Sequence, residues 1–262
     1  MAEGRFQGLV VMLTGAAGGL GRAAAHRFAA EGAHLVLSDL AEVPLMALAG
    51  ALSEAGAEVL AEPLDVTDEA QVAAHVTRAL SRFHRLDVAV NNAGIAPPLM
   101  PLTATDAGTF DRVMAVNARS VFLGMKHQLP PMLAAGRGAI LNVASAAGLV
   151  GAGQMAAYAA SKHAVVGLTR AAADEVARRG VRANAICPSF AATPLYDGIA
   201  DALAGQRAEP RGDADARFTR RIPMGRIATP DEVAEAMLWL TDPANSFMTG
   251  QAVAIDGGLT AV

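Results

Sequence analysis

Seven short apolar stretches punctuate the chain, at 8–13, 33–38, 57–64, 86–92, 138–145, 181–188 and 251–258. "GLVVML", "AHLVLS" and "LDVAVNN" are typical. They are near-continuously apolar and not alternating, the pattern of strands covered on both faces. Longer helical patterns separate them, over about 20–30, 42–54, 68–82, 106–129 and 154–178. The one over 68–82 is followed by Phe83 and has apolar residues at 72, 76, 80 and 83, close to helical spacing. The helix over 106–129 is expected to stop at Pro130 and Pro131, which lack an N–H and crowd the preceding turn. The helix over 154–178 is expected to end before Gly180. Buried strands alternating with helices predict an α/β fold: a doubly wound, seven-stranded parallel sheet between two helical layers. No internal linker or repeat interrupts 1–262, so one domain is expected. The stretch 193–229 is different, with no strand pattern and more charge, glycine and proline. Lying before the last helix and strand, at the carboxyl edge of the sheet, it reads as a substrate lid.

Several function classes fall away on composition. The chain is 53% hydrophobic and 18% charged, which suits a packed globule and not a disordered segment. A net charge of −4 argues against nucleic acid as a partner. No run of about 18 apolar residues predicts a membrane span. The start, "MAEGRFQGLVVMLTG", lacks the basic and long apolar segments of a secretion signal, so a cytoplasmic protein is expected. Cys187 is the only cysteine, which rules out an intrachain disulfide. The six histidines are scattered without metal-ligand spacing, and no metal site is expected.

Between the first strand and the first helix runs "TGAAGGLG", with Gly15, Gly18, Gly19, Leu20 and Gly21. Glycines there let backbone approach a pyrophosphate, and the helix N-terminus offers free N–H groups and a positive dipole end. Asp39, with Leu40 beside it, closes the second strand 24 residues after Gly15. A carboxylate at that point accepts hydrogen bonds from ribose hydroxyls and repels a 2′-phosphate. No Arg or Lys stands in "LSDLAEV" or between Gly15 and Gly21, so NAD is the expected cofactor. Asp39 capping the following helix is the structural alternative.

Tyr158 and Lys162, in "AAYAASKHAV", are one of two tyrosines and one of two lysines in the chain. Four positions apart, they share a helix face. A free tyrosine has a pKa near 10, too high for acid/base work at neutral pH, and a neighbouring ammonium lowers it. Alone, such a pair is more often a surface or packing accident.

It is not alone. "TGAAGGLG" (14–21), "NNAG" (91–94), Asn117, Ser145 and "YAASK" (158–162) occur in this order, and together they resemble the short-chain dehydrogenase/reductase family. The resemblance spans nearly the whole chain and implies a single Rossmann-type domain. It implies that Tyr158 is the general acid/base and that Ser145 hydrogen-bonds the substrate oxygen. It implies that Lys162 holds the nicotinamide ribose and lowers the Tyr158 pKa, and that Asn117 positions a proton-relay water. Asp65 and Val66 match the segment along the adenine. Asn91, Ala93 and Gly94 match the turn along the adenosine ribose, with Asn91 also supporting the sheet. Pro188 and Thr193 match the nicotinamide end, Thr193 at its carboxamide. Singly, each has another reading: Ser145 as a turn former, Asn117 bonding its own helix, Asn91 as a turn residue, Asp65 or Thr193 as helix caps. The family usually has glycine after this proline. Here it is Ser189, which is less free in its backbone angles, so the loop is expected to differ slightly.

The expected reaction is hydride transfer between NAD(H) and a secondary alcohol or ketone. Ala96, Leu99, Gly151, Phe190, Leu195 and Tyr196 are expected to shape the substrate pocket, and they are mainly apolar. Six lid arginines (207, 211, 217, 220, 221 and 226) read first as a solvated helical face. The family resemblance implies a homotetramer or dimer. Two alternatives remain open: an NADPH-linked 3-oxoacyl ketoreductase and a catalytically silent dinucleotide scaffold.

Overall fold

The computed structural model describes residues 4–262. Its strands are β1 (Val10–Thr14), β2 (His34–Asp39), β3 (Val59–Pro63), β4 (Val88–Asn91), β5 (Gly138–Val143), β6 (Val181–Pro188) and β7 (Ala252–Ile255). Each overlaps one of the seven apolar stretches. All pairs are parallel, in the order β3-β2-β1-β4-β5-β6-β7. The helices are α1 (Gly19–Ala30), α2 (Glu42–Glu54), α3 (Glu69–Phe83), α4 (Ala107–Met114), α5 (Ser120–Ala135), α6 (Ala156–Val176), α7 (Pro194–Arg207), α8 (Arg211–Thr219) and α9 (Pro230–Thr241).

Strand periodicity divides the core into two layers. Val11 and Leu13 of β1 share one with Phe28 of α1, Leu48 of α2 and Met237 of α9. Val10 and Met12 share the other with Val76 of α3, Met125 of α5 and Val165 of α6. Each such fully buried side chain contributes about 1.5–3 kcal/mol. The order reverses at β1, which pairs with β2 on one side and β4 on the other. Crossovers leave in both directions from there, so a crevice opens at the carboxyl ends of β1 and β4.

One expected helix is built differently. The stretch 106–129 is not a single helix ending at the prolines: α4 gives way to a π turn at Ala115–Arg119, and α5 then runs through Pro130 and Pro131 to Ala135. The prolines leave two carbonyls of the preceding turn without intrahelical donors. The turn beyond them is held by burial of Met132, which is wholly inaccessible. It closes at Gly136, φ +66°, with Gly136 N–H donating to Leu133 O and Arg137 N–H to Met132 O.

Polar side chains also cross the core beneath the crevice. Asn91 Nδ2 donates to Gln128 Oε1 (3.1 Å) and Asn142 Oδ1 (2.9 Å), and Gln128 Nε2 donates back to Asn91 Oδ1 (3.0 Å). Asn142 Nδ2 continues the chain to Thr169 Oγ1 at 2.9 Å. These bonds join β4, β5, α5 and α6 at the height of the site. Gly124 of α5 leaves room for them: a Cβ there would lie 2.6 Å from Asn91 Oδ1. Gly124→Ala should therefore destabilise the fold by about 1–3 kcal/mol despite alanine's better helix propensity. Chemical denaturation checks this, and an unchanged midpoint would show that Asn91 is free to move.

Candidate active site

A cleft of about 770 Å3 lies over the carboxyl ends of the strands, from the β2 end to the β6–β7 end. Its floor begins at the loop joining β1 to α1. Gly15 holds φ +64°, and a Cβ there would lie 2.8 Å from Ala93 Cα. At Gly21 a Cβ would lie 2.1 Å from the Gly15 carbonyl oxygen. The N-cap of α1 is Gly18, and no side chain caps this terminus. The first-turn N–H groups and the positive helix end are thus available to an anion in the cleft.

The next wall comes from the ends of β2 and β3. Asp39 Oδ2 accepts from Ala17 N–H at 3.0 Å, and Oδ1 accepts from Ala41 N–H at 3.0 Å. Asp39 is not the cap of α2, whose N-cap is Ala41. Its carboxylate ties the glycine loop to the second strand and faces the cleft beside Leu40, Asp65 and Val66. Asp65 does not cap α3 either. It accepts from the N–H and hydroxyl of Thr67 (2.8 and 2.7 Å), while Asp68 caps the helix.

At the far end of β5, Ser145, Tyr158 and Lys162 line the same cleft. Ser145 caps the short 3-10 turn Ala146–Gly148, its Oγ accepting from Ala147 N–H at 3.1 Å. Its hydroxyl hydrogen is thereby free to donate, and the Ser145 side chain acts on the Tyr158 phenol, lowering its pKa. Tyr158 and Lys162 share the expected face of α6, with Nζ 5.6 Å from the phenol ring centre. Lys162 is buried, and its Nζ donates to Val143 O at 2.8 Å. Burial lowers the Lys162 pKa to about 8, opposed by the Cys187 thiol. The Cys187 thiol itself is pushed up to about 11 by burial. Burial also raises the Tyr158 pKa above its ordinary 10, and Ser145 opposes that rise. Desolvation thus dominates at the phenol, and the expected lowering by Lys162 does not accompany it.

Asn117 sits in the π turn. Its Oδ1 accepts from Ile95 N–H (2.8 Å), and its Nδ2 donates to Ile95 O (2.9 Å) and Ser161 Oγ (3.1 Å). It bonds the β4 loop and α6, not its own helix. A Cβ on Gly94 would lie 3.3 Å from Asn117 Oδ1 and 3.4 Å from Lys162 Nζ, so the two groups meet over the bare face of that glycine.

The family model described as enoyl-(acyl carrier protein) reductase matches residues 15–260. This chain belongs to the short-chain dehydrogenase/reductase family. It is 44% identical over 253 residues to cis-4-hydroxycyclohexanecarboxylate dehydrogenase of Sinomonas cyclohexanicum, with 97% of each chain covered. Among solved structures it is similar to levodione reductase, with a TM-score of 0.94 and 40% identity over 98% of this chain and 99% of that one. It also resembles a putative NAD(P)-dependent gluconate 5-dehydrogenase of Beutenbergia cavernae with bound NADP at low occupancy. There the TM-score is 0.88 and the identity 36%, over 98% of both chains. As a short-chain dehydrogenase/reductase the chain is an oxidoreductase of alcohol and ketone groups that uses a nicotinamide cofactor.

Within this short-chain dehydrogenase/reductase most of the expected cleft residues converge, and four do not: Asn91, Ala96, Leu99 and the buried Asn117, which reaches the site only through Ile95 and Ser161. Asn91 lies in the buried amide cluster. The adjacent Asn92 lines the cleft instead, donating through Nδ2 to Thr14 O and Gly15 O at 3.0 Å each. Asn91 ends β4 with its side chain in the helix layer, so the first residue past the strand is the one that turns to the loop. Ala96 and Leu99 lie off the cleft wall; Leu99 is buried, and its carbonyl accepts from Gln206 of α7. Gly151, Phe190, Leu195 and Tyr196 are on the wall, joined by Val150, Met155, Ile199, Arg221 and Leu259, which residue patterning missed. Pro188 lines the cleft, and Ser189 beside it takes no left-handed angle, so the family's glycine is not needed here. Thr193 both lines the cleft and caps α7, accepting from Tyr196 N–H at 3.4 Å.

The arginines of 193–229 divide. Arg211 pairs with Asp197, Asp201 and Asp215, Arg217 with Glu209, and Arg226 with Glu232. Phe190, Tyr196 and Phe218 form an aromatic cluster, their ring centres 4.5–5.9 Å apart, and the Tyr196 hydroxyl donates to Asp215 Oδ1 at 2.6 Å. Among the described residues no group of acids, histidines or cysteine could hold a metal ion, and no helix is long and apolar enough to cross a membrane.

Proposed function

We propose that the chain is an NAD(H)-dependent dehydrogenase that interconverts a secondary alcohol and a ketone, with Tyr158 as its general acid/base. The observation that carries this reading is the meeting, in one cleft, of a capless helix N-terminus, the Asp39 carboxylate and the Ser145–Tyr158–Lys162 group. The α1 N-terminus would take the pyrophosphate, Asp39 the adenosine ribose, Lys162 the nicotinamide ribose, and Thr193 the carboxamide. When bound, the dinucleotide supplies the hydride acceptor or donor. In alcohol oxidation Tyr158 Oη takes the hydroxyl proton while Ser145 donates to the same oxygen. A positive charge at Lys162 favours the phenolate, and Asn117 positions the outlet through which the proton leaves. Helices α7 and α8 form the lid. The apolar wall of Val150, Met155, Leu195 and Ile199 suits a ring alcohol, as does the cyclohexane named for the 44% identical relative. Action in the cytoplasm and self-association, as tetramer or dimer, belong to the same proposal; sedimentation measures the latter.

The cofactor preference rests on charge. Lys162 and Arg221 are the cations on the cleft wall, and both lie at the end away from Asp39. Nothing beside Asp39 would neutralise a 2′-phosphate. Wild type should favour NAD, and Asp39→Ala should narrow that preference by about 10- to 100-fold, the worth of charged hydrogen bonds lost. Steady-state rates with both cofactors decide. A wild type that favours NADP would support the second reading, a ketoreductase of carrier-bound acyl groups, which the description of the matching family model favours.

A further inference from the structure

Of the six arginines of 193–229, Arg207, Arg220 and Arg221 have no side-chain partner among the described residues, and of these three Arg221 lines the cleft. Arg211, Arg217 and Arg226 are held by carboxylates. Among the described residues Arg221 has no side-chain hydrogen bond or ion pair, and its backbone N–H alone is engaged, by Phe218 O at 3.2 Å. It is also the arginine that reaches the cleft wall. The carboxylates on that wall, Asp39 and Asp65, stand at the opposite end with partners of their own. Asp215, which is near in sequence, is occupied by Tyr196 and Arg211.

Its place in the fold is set by its neighbours. Ile222 is buried against Gly257, where a Cβ would lie 2.6 Å from Ile222 Cγ2. Met224 N–H donates to Gly257 O at 3.1 Å. Gly257 follows β7, the edge strand, and β7 lies beyond β4, β5 and β6 as counted from β1. The glycine loop belongs to β1 and the acid/base group to the end of β5. Arg221 is therefore on the far side of Tyr158 from the pyrophosphate site, at the substrate end. The same cleft wall carries the apolar residues Phe190, Leu195, Ile199 and Leu259. The guanidinium itself stays exposed at the mouth of the cleft.

We propose that Arg221 is a specificity-determining residue that anchors a carboxylate carried by the substrate, remote from the hydroxyl that reacts. The substrate class is then a hydroxylated ring acid. Its ring fills the apolar wall, its alcohol meets Tyr158, and its carboxylate meets the fork of Arg221. The assignment rests on the dehydrogenase reading for which group reacts, but not for which group is recognised. A planar guanidinium suits a carboxylate through two parallel N–H bonds, which an ammonium cannot supply. At the mouth both partners keep part of their hydration, so the effect is moderate and weakens with salt.

The test separates recognition from chemistry. Enzyme saturated with NADH is titrated calorimetrically with cyclohexanecarboxylate and with its neutral methyl ester, neither of which carries the reacting hydroxyl. Wild type should bind the acid about tenfold more tightly than the ester. That advantage should shrink at high ionic strength. It should fall towards unity in Arg221→Met and persist in part in Arg221→Lys. Equal binding of acid and ester by wild type, or an advantage unchanged in Arg221→Met, overturns the assignment. Oxidation of hydroxycyclohexanecarboxylates, which carry both groups, is measured in parallel. Discrimination without any turnover supports Arg221 as the anchor and overturns the dehydrogenase reading instead.

Discussion

Tyr158→Phe should lower kcat for alcohol oxidation by about 10²–10⁴-fold, the range of a lost general acid/base. The Kd for NADH should move by less than about threefold. The substitution keeps the ring that Lys162 Nζ approaches and removes only Oη. The glycine loop, Asp39 and the α1 terminus are untouched, so binding and chemistry separate. Stopped-flow turnover and NADH fluorescence titration read the two quantities. A variant that keeps a tenth or more of wild-type kcat would sink the assigned role. Burial raises the pKa of the phenol above 10. Its ionisation at working pH has to come from positive charge assembled beside it, that of Lys162 and of the oxidised nicotinamide. The oxidation rate should therefore rise with pH through one inflection below 10. Lys162→Met should move that inflection upward or erase it.

Lys162→Met should cut kcat/KM by about a hundredfold or more, yet stabilise the free enzyme at pH 7. The sign follows from proton counting. Burial lowers the Lys162 pKa from 10.5 to about 8. Between those values the unfolded chain binds more protons than the folded one, so stability rises with pH across that window. Below about pH 8 both states are protonated, and the folded state carries the full cost of a buried cation, about 3 kcal/mol. Methionine removes that cost but leaves Val143 O without its donor, a loss of about 1–2 kcal/mol. A net gain of about 1–2 kcal/mol is expected at pH 7, vanishing or reversing above pH 10.5. Thermal unfolding of both proteins at the two pH values measures it. Equal destabilisation at both would mean that the lysine is kept for packing.

Much of this was legible from residue types and spacing. The sheet was, because buried parallel strands are continuous apolar runs bounded by glycine and polar residues, as at Val10–Thr14. The face shared by Tyr158 and Lys162 was, because a step of four residues is just over one helical turn. Asp39 does end β2 and line the cleft, but its bond to Ala17 joins residues from different loops, and spacing carries no such information. Asn91 and Asn92 are identical in type; their roles are divided by where β4 ends, a boundary set by pairing with β5. The prolines misled because a local rule forbids them in helices, whereas the burial of Met132 is a tertiary effect. Ala96 and Leu99 failed for the same reason: which face of a long loop turns inward depends on α7, far along the chain.

The π turn at Ala115–Arg119 has a consequence for how the chain can change over generations. Such a turn holds one residue more than the α turn it replaces, a phase offset of about 100°. Val113 before it and Val121 and Met125 after it all face the interior across that offset. Removing one residue would restore a regular helix and rotate one of these faces out of the core. It would also withdraw Asn117 from Ile95 and Ser161. Changes of length are usually absorbed by surface loops. Here a change of one residue inside a helix should be as damaging as the loss of a catalytic side chain.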